Sequence, residues 1–386
     1  MDIESKATKI LFLIPTIRFG GAELFLLRLI GKIHSEYNIV LVVIGEREGL
    51  FSEFERLKIR VIYLGYERIF AFPLALMSFR RILKAEKPDV LHSFLYLADI
   101  LSGISSLMLG MGVKIWSIRG TNLAKGTRRH KLIVQKFAAF LSGYLPNKIV
   151  ACGSQVRDFH IGIGYPSNKI SIIGNFLPEW THDIKSNSIF LTDSKPLSFS
   201  IGLAARYDIG KGHLALVECV MDFLKRNNDV QIVLKFAGKG CGDTGHLSDD
   251  LNLIAGIHDL RSRGSLKIES SGLLLGDDLS RWYGNLDLYF MASDSLEGFP
   301  NSLAEAVGIG LPAISTPMGS ASDFLPFFRI TSDSTSVSML EVLENFFSES
   351  LAEKVETSAV LRNRLLTEFS ESKVIEAYRS LWSKYL

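Results

Sequence analysis

Short, unbroken apolar runs of strand length recur along this chain, and between them apolar positions fall three and four residues apart. Ile10 to Pro15, Ile39 to Ile44, Arg60 to Leu64, Val90-Leu91, Lys114 to Ile118, Ile149 to Ala151 and Ile170 to Ile173 read as strands. Runs without alternation belong to a parallel sheet covered on both faces. Helical spacing predicts helices over about Ala22 to Ile33, Phe51 to Leu57 and Leu74 to Glu86. The segment from Glu179 to Pro196 has little periodicity and several Ser, Asn and Asp residues, and reads as a linker. Beyond it the alternation restarts with strands at Leu197 to Leu203, Val230 to Ala237, Leu288 to Ala292 and Ala313 to Ser315. Leu214 to Lys225 and most of Leu247 to Arg261 read as helices, and Leu266 to Glu269 and Leu273 to Leu275 lie around a loop at Gly276-Asp277-Asp278. Two such series predict an α/β protein of two doubly wound, Rossmann-like domains facing a cleft. The expected boundaries are 1–180, a linker at 181–196, 197–368, and a terminal helix over 369–386 with Val374, Ile375, Tyr378, Leu381 and Trp382 on one face.

Composition agrees with two cores, since 386 residues that are 47% apolar exceed what one domain needs. A net charge of +2 requires no nucleic acid as partner. Three cysteines without a close pair argue against a disulfide framework or a zinc site. The first apolar run is short and broken by Pro15, and no stretch reaches the length of a bilayer span, so a cytoplasmic protein is expected.

Candidate chemistry concentrates where strands give way to helices. In Asp294 to Ala306 a polar loop carries Glu297, turns through Gly298, Phe299 and Pro300, and enters a helix carrying Glu305. With Asn301 as the expected N-cap, the first turn offers unpaired N–H groups and the positive helix end to a phosphate. In Gly202 to Gly212 a strand ends, and Arg206 and Lys211 follow on a glycine-containing loop. A guanidinium fork and a compact ammonium suit a diphosphate, and stabilise one that gains charge as a leaving group. Asp277-Asp278 and Asp249-Asp250 read as solvated acids rather than a metal site. The turn at Gly20-Gly21 lacks the dinucleotide fingerprint spacing, so a hydride-transfer cofactor is not indicated. His92, after the short strand Val90-Leu91, stands where ligands meet parallel sheets, although a histidine there is more often structural.

The Glu297-x7-Glu305 spacing together with Gly202 to Gly212 resembles the retaining glycosyltransferases of family 4, which have the two-domain GT-B fold. Gly20-Gly21-Ala22-Glu23, Pro88 to Ser93, Gly153-Ser154 and Gly164 to Asn175 extend the resemblance through most of the chain. It implies that Arg206 and Lys211 bind the donor diphosphate, Glu297 the sugar hydroxyls and Glu305 the ribose. Gly298, Phe299, Pro300 and Asn301 would line the donor, with backbone contacts from the last three. Gly20 and Gly21 would close on it from the other domain, and His92 would sit beside the reacting carbon. The terminal helix would pack back on the N-terminal domain. The implied reaction is a metal-independent hexosyl transfer, from a nucleotide-diphosphate-sugar to a glycan or lipid-linked glycan, of the kind used in bacterial polysaccharide or lipopolysaccharide assembly. The acceptor hydroxyl attacks on the face the nucleotide leaves, and no cofactor is needed beyond the donor substrate. Phe94, Leu97 and Phe176 depart from the family pattern in the acceptor half and at the hinge. A nucleotide-sugar epimerase of the same fold and a non-catalytic sugar-nucleotide-binding protein are the competing readings.

One further feature is a stretch from Ile100 to Arg157 without an acidic residue, and with lysines and arginines throughout 114–148. Arg128 to Lys131 followed by Leu132, Ile133, Val134, Phe137, Ala138 and Phe140 predicts a basic amphipathic helix suited to an anionic membrane surface, on the cytoplasmic face of the inner membrane. A core-packed helix with a solvated basic end is the plainer reading.

Overall fold

The computed structural model describes residues 8–66, 71–107, 109–110, 112–120, 129–183, 198–242, 246–294 and 297–384. The chain divides into two compact units, residues 1–176 with 371–386, and residues 177–370.

The first unit is a seven-stranded, all-parallel sheet. Its elements are β1 (Lys9–Ile14), α1 (Gly21–Ile33), β2 (Asn38–Val43), α2 (Phe51–Arg56), β3 (Arg60–Tyr63), α3 (Phe72–Glu86), β4 (Val90–Phe94), α4 (Tyr96–Leu107), β5 (Val113–Ile118), α5 (Arg129–Ser142), β6 (Lys148–Ala151), α6 (Ser154–Gly162) and β7 (Ile170–Ile172). The second unit holds α7 (Trp180–Asp183), β8 (Phe199–Ala204), α8 (His213–Arg226), β9 (Ile232–Ala237), α9 (His246–Leu251), α10 (Ile257–Ser262), β10 (Leu266–Ser270), α11 (Gly276–Gly284), β11 (Leu288–Met291), α12 (Asn301–Gly308), β12 (Ala313–Ser315), α13 (Ser336–Ser348) and α14 (Leu351–Glu368). The last helix, α15 (Glu371–Ser383), belongs to the first unit.

The sheet orders are β3-β2-β1-β4-β5-β6-β7 and β10-β9-β8-β11-β12. Each sheet therefore reverses its winding at one place, between β1 and β4 in the first and between β8 and β11 in the second. Loops leaving the carboxyl ends of those strands diverge, and the crevice they open is where open α/β sheets bind ligands.

Four expectations change in detail. The predicted linker starts with helix α7, because Trp180 stacks on Tyr283 at 5.8 Å and Thr181 is buried; residues 184–197 lie outside the described residues. Leu247 to Arg261 is two short helices, broken where Gly256 adopts a φ of 81°. Gly276-Asp277-Asp278 opens α11, where two carboxylates sit favourably at the positive helix end. The strand at Val90 runs on to Phe94, so His92 lies inside it, in register with Phe12 and Ile115.

α15 completes one face of the first sheet. Tyr378 and Trp382 are fully buried against Phe12, Phe25 and His92. Arg119, just past β5, lies 3.9 Å over the Phe25 ring and donates to Asn175 Oδ1 at 2.8 Å and to the Tyr378 hydroxyl at 2.9 Å. One guanidinium thus ties the sheet's carboxyl edge to the terminal helix. Truncating Trp382→Ala should cost about 3–5 kcal/mol, read as a lower denaturant midpoint for the transition that exposes the first unit.

On the other face, His160 of α6 is buried between a 2.6 Å bond from Nδ1 to Val156 O and a 2.9 Å contact of Nε2 with the Tyr96 hydroxyl. Nδ1–H donates to the carbonyl, so Nε2 accepts from the hydroxyl and has no room for a proton. Burial accordingly pushes its pKa down to about 4. Unfolded, the ring titrates near 6.5, so stability is intact above about pH 6.5 and is lost as pH falls toward 4. The loss expected from this group is on the order of 2–3 kcal/mol. Melting temperatures at about pH 7 and about pH 5 should show it, and the difference should shrink in His160→Gln.

Candidate active site

The second unit gathers the candidate groups at its switch point. After β8 the chain carries Arg206 and Asp208 and tightens into a 3-10 turn over Ile209–Lys211, in which the Asp208 carboxylate accepts from Gly210 N–H. Gly212 ends that turn at a φ of 70°, and a Cβ there would stand 1.8 Å from Ala292 O. Only glycine lets this loop press against the end of β11. Asp294 N–H closes the contact by donating to Gly210 O at 3.1 Å.

From the other side of the crevice comes Glu297. Its Oε1 accepts from Lys211 Nζ at 2.5 Å and from Ser293 Oγ at 2.8 Å, and both ion-pair side chains are 16% exposed. Thr316, after β12, donates to Ser293 O at 2.5 Å. Gly319, at a φ of 62°, would place a Cβ 2.6 Å from Glu297 Cβ, so the segment behind the carboxylate must also be bare. An ammonium and a carboxylate 86 residues apart in sequence are thereby fixed in contact. Arg206 is 60% exposed, with a loose 3.6 Å pairing to Asp208 Oδ2, and is available to an anion arriving from solvent.

Behind Glu297 the turn packs inward. Phe299 is buried against Phe324 and Phe369, so its side chain serves the core. Gly298 O accepts from Ser320 N–H. Helix α12 starts at Asn301 with Pro300 as its N-cap and no capping side chain. Asn301 is therefore the first helical residue rather than the expected N-cap, because Ala304 N–H bonds to Pro300 O. Glu305, one turn on, is buried, and the Tyr283 hydroxyl lies 3.3 Å from its Oε2 and 3.1 Å from Ser302 O. Tyr289 donates to Ser302 Oγ at 2.7 Å. Ser293, Thr316, Tyr283 and Tyr289 hold the candidate carboxylates and α12, and nothing in their spacing distinguishes them from core positions.

Gly20, Gly21 and His92 belong to the first unit. Gly20 caps α1 in an extended conformation, and Gly21 begins the helix at the carboxyl end of β1, beside that sheet's switch point. The Glu23 carboxylate lies over Gly20, where a Cβ would come within 2.4 Å of Oε2. His92 is corrected to a core residue. It is 0% exposed, Nδ1 accepts from Trp382 Nε1 at 3.3 Å, and Nε2 donates to Ser117 Oγ at 2.9 Å. Burial and the nearby Arg119 charge hold its pKa well below the usual range. A neutral ring with both nitrogens engaged and no exposed edge touches no ligand in this state.

Residues 19–178 match the family model described as Glycosyltransferase Family 4, and residues 198–326 match that of Glycosyl transferases group 1. The chain belongs to glycosyltransferase family 4 and has the GT-B fold. Among solved structures, the glycosyltransferase is similar to HepE of Anabaena in complex with UDP, at a TM-score of 0.76 and 16% identity over 98% of this chain and 100% of that one. A glycosyltransferase from Rickettsia africae matches at a TM-score of 0.76 and 17% identity over 98% of each chain. The lipopolysaccharide outer core galactosyltransferase WaaB matches at 0.71 and 16% over 98% of this chain and 100% of that one. No curated protein sequence shows significant similarity.

The glycosyltransferase should depend on the Lys211–Glu297 pair for turnover far more than for stability. Lys211→Ala and Glu297→Gln are each expected to lower kcat by about 10²-fold or more, as loss of a fixed charge at a reacting centre does. Each variant also leaves a partly buried group without its partner, so some loss of melting temperature is expected, but the folded state should persist and the loss of turnover should exceed it. Full activity in either purified variant would remove the pair from the site.

Proposed function

We propose that this glycosyltransferase moves a hexose from a nucleoside-diphosphate sugar to a hydroxyl of a glycan or lipid-linked glycan, with retention at the anomeric carbon and without a metal ion. The observation that carries the reading is the contact of Lys211 with Glu297 at the second sheet's switch point, on the same loop as Arg206. A diphosphate entering there would draw Lys211 from the carboxylate and take Arg206 from solvent. Glu297, kept in place by Ser293, would then accept hydrogen bonds from sugar hydroxyls. Glu305, one helical turn deeper, would hold the ribose. HepE, whose structures contain UDP, UDP with glucose, and UDP-glucose, supports a uridine donor as the first to test.

In this mechanism the anomeric carbon–oxygen bond to the diphosphate breaks as the acceptor oxygen bonds the same carbon on the same face. The departing phosphate oxygen takes the acceptor proton. Lys211 and Arg206 neutralise charge that grows during the step, which lowers the barrier more than it tightens substrate binding. Glu297, paired with an ammonium and a hydroxyl, is better placed to orient hydroxyls than to act as a nucleophile. The acceptor would be bound by the first unit.

An epimerase reading draws on a putative UDP-N-acetylglucosamine 2-epimerase from Listeria monocytogenes, which shares the fold at a TM-score of 0.60 and 12% identity. Product formed from donor alone would favour it. The direct test is a thermal-shift screen with UDP, GDP and their sugar conjugates. A donor at about 100 times its Kd should add about 2.7 kcal/mol of stability, and Lys211→Ala should abolish most of that shift. No shift with any nucleoside diphosphate would overturn the proposal.

A further inference from the structure

Helices α3, α4 and α5 lie side by side on one face of the first sheet, with α4 in contact with both neighbours. α4 is sunk in this layer, burying Ala98, Leu101, Ser102, Gly103, Ser105 and Ser106. α5 turns small or hydrogen-bonded groups toward the layer, with Gln135, Ala138, Ala139 and Ser142 buried. Its large apolar residues point outward. Ile133, Phe140 and, just past the helix, Tyr144 are 67%, 66% and 76% exposed, and Leu132 and Phe137 are also exposed. Ile133, Phe137, Phe140 and Tyr144 follow one another at four, three and four residues, which makes a single stripe. A surface helix of a water-soluble unit carries the opposite arrangement.

α3 adds a basic counterpart. Leu74 and Met77 are exposed, and next to them Met77, Arg80, Arg81 and Lys84 line a shallow depression of about 220 Å³. Arg80 Nε is buried with no hydrogen-bond partner. Arg81, Lys84, Lys131 and Lys136 are exposed on these helices. The helices carry only two acids: Asp99 is fully buried, and Glu86 is buried in ion pairs with Lys9 and Arg60. Outward, then, the layer shows apolar groups and cations and no carboxylate. A second copy of the same face would set cations against cations. An anionic surface with an apolar interior satisfies both features at once.

We propose that the outer face of α3, α4 and α5 seats the chain on an anionic lipid bilayer. A headgroup phosphate would occupy the depression on α3, and the α5 stripe would lie at the boundary between headgroups and acyl chains. This assignment rests on the first unit's surface and not on the donor site.

The test is co-sedimentation of the full chain at low salt with vesicles of phosphatidylcholine alone, or of phosphatidylcholine with an equal share of phosphatidylglycerol. Binding is expected to the mixed vesicles only, and to weaken as salt is added. The combined change Ile133→Ser, Phe137→Ser and Phe140→Ser, and separately Arg81→Glu with Lys84→Glu, should each weaken it on the order of tenfold or more. Nucleotide thermal shifts should be unchanged in both, since the substituted side chains are exposed and lie in the other unit. Failure to sediment with mixed vesicles, or equal sedimentation of wild type and variants, would overturn the proposal. So would a wild-type dimer that the triple variant dissolves, because it would assign the face to a second copy.

Discussion

The contact between Lys211 and Glu297 sets the terms for the rest of the second unit. A half-buried ammonium and carboxylate survive only if each keeps its partner and its remaining hydrogen-bonding capacity is met. The chain meets those conditions with backbone more than with side chains. Gly212 and Gly319 remove the side chains that would separate the loops, Asp294 N–H ties one loop to the other, and Thr316 fixes the carbonyl of Ser293, whose hydroxyl steadies the carboxylate. Three loops at the carboxyl edge are thus committed to one charge pair.

The first unit answers the same topological constraint differently. At its switch point the loop after β1 ends in Gly20 and Gly21, while β4 continues past His92 into buried Phe94. Where a polar edge was expected, the strand is sealed from behind by α15, with Trp382, Tyr378 and Arg119 closing over it. The histidine is therefore spent on the core. Its two ring nitrogens engage a buried indole N–H and a buried serine hydroxyl.

These differences show how far the sequence reaches. Parallel winding follows from unbroken apolar runs, because a strand covered on both faces needs no alternation, and runs such as Ile10 to Ile14 and Leu288 to Met291 are strands. The two residues that meet as an ion pair, Lys211 and Glu297, stand out because each follows a strand on a glycine-containing loop. The surroundings of His92 are contained in no local pattern, since one ring nitrogen accepts from Trp382, 290 residues away. Ser293, Tyr283 and Tyr289 are hidden for a related reason, since a buried hydroxyl looks like core until its partner is located. Asn301 fails as a cap because the preceding proline already supplies the carbonyl that starts the helix.

The sequence of α5 admits both a core helix and a surface-seeking one, and packing decides which of its faces is turned inward. Its neighbour α4 holds a polar interior, in which Ser93 and Ser102 are hydrogen-bonded to each other and Ser93 donates to Asp99. At Gly103 there is no space for even one methyl group, since a Cβ would meet Leu145 at 2.7 Å and Trp116 at 3.0 Å. A layer this tight accepts only small groups from α5, which is why Ala138, Ala139 and Ser142 face it. Phenylalanine and isoleucine on the remaining face are not forced by that packing, because charged residues would fit there equally well. Large apolar side chains placed where the fold does not need them, beside lysines and without acids, are the ground for the bilayer contact proposed above.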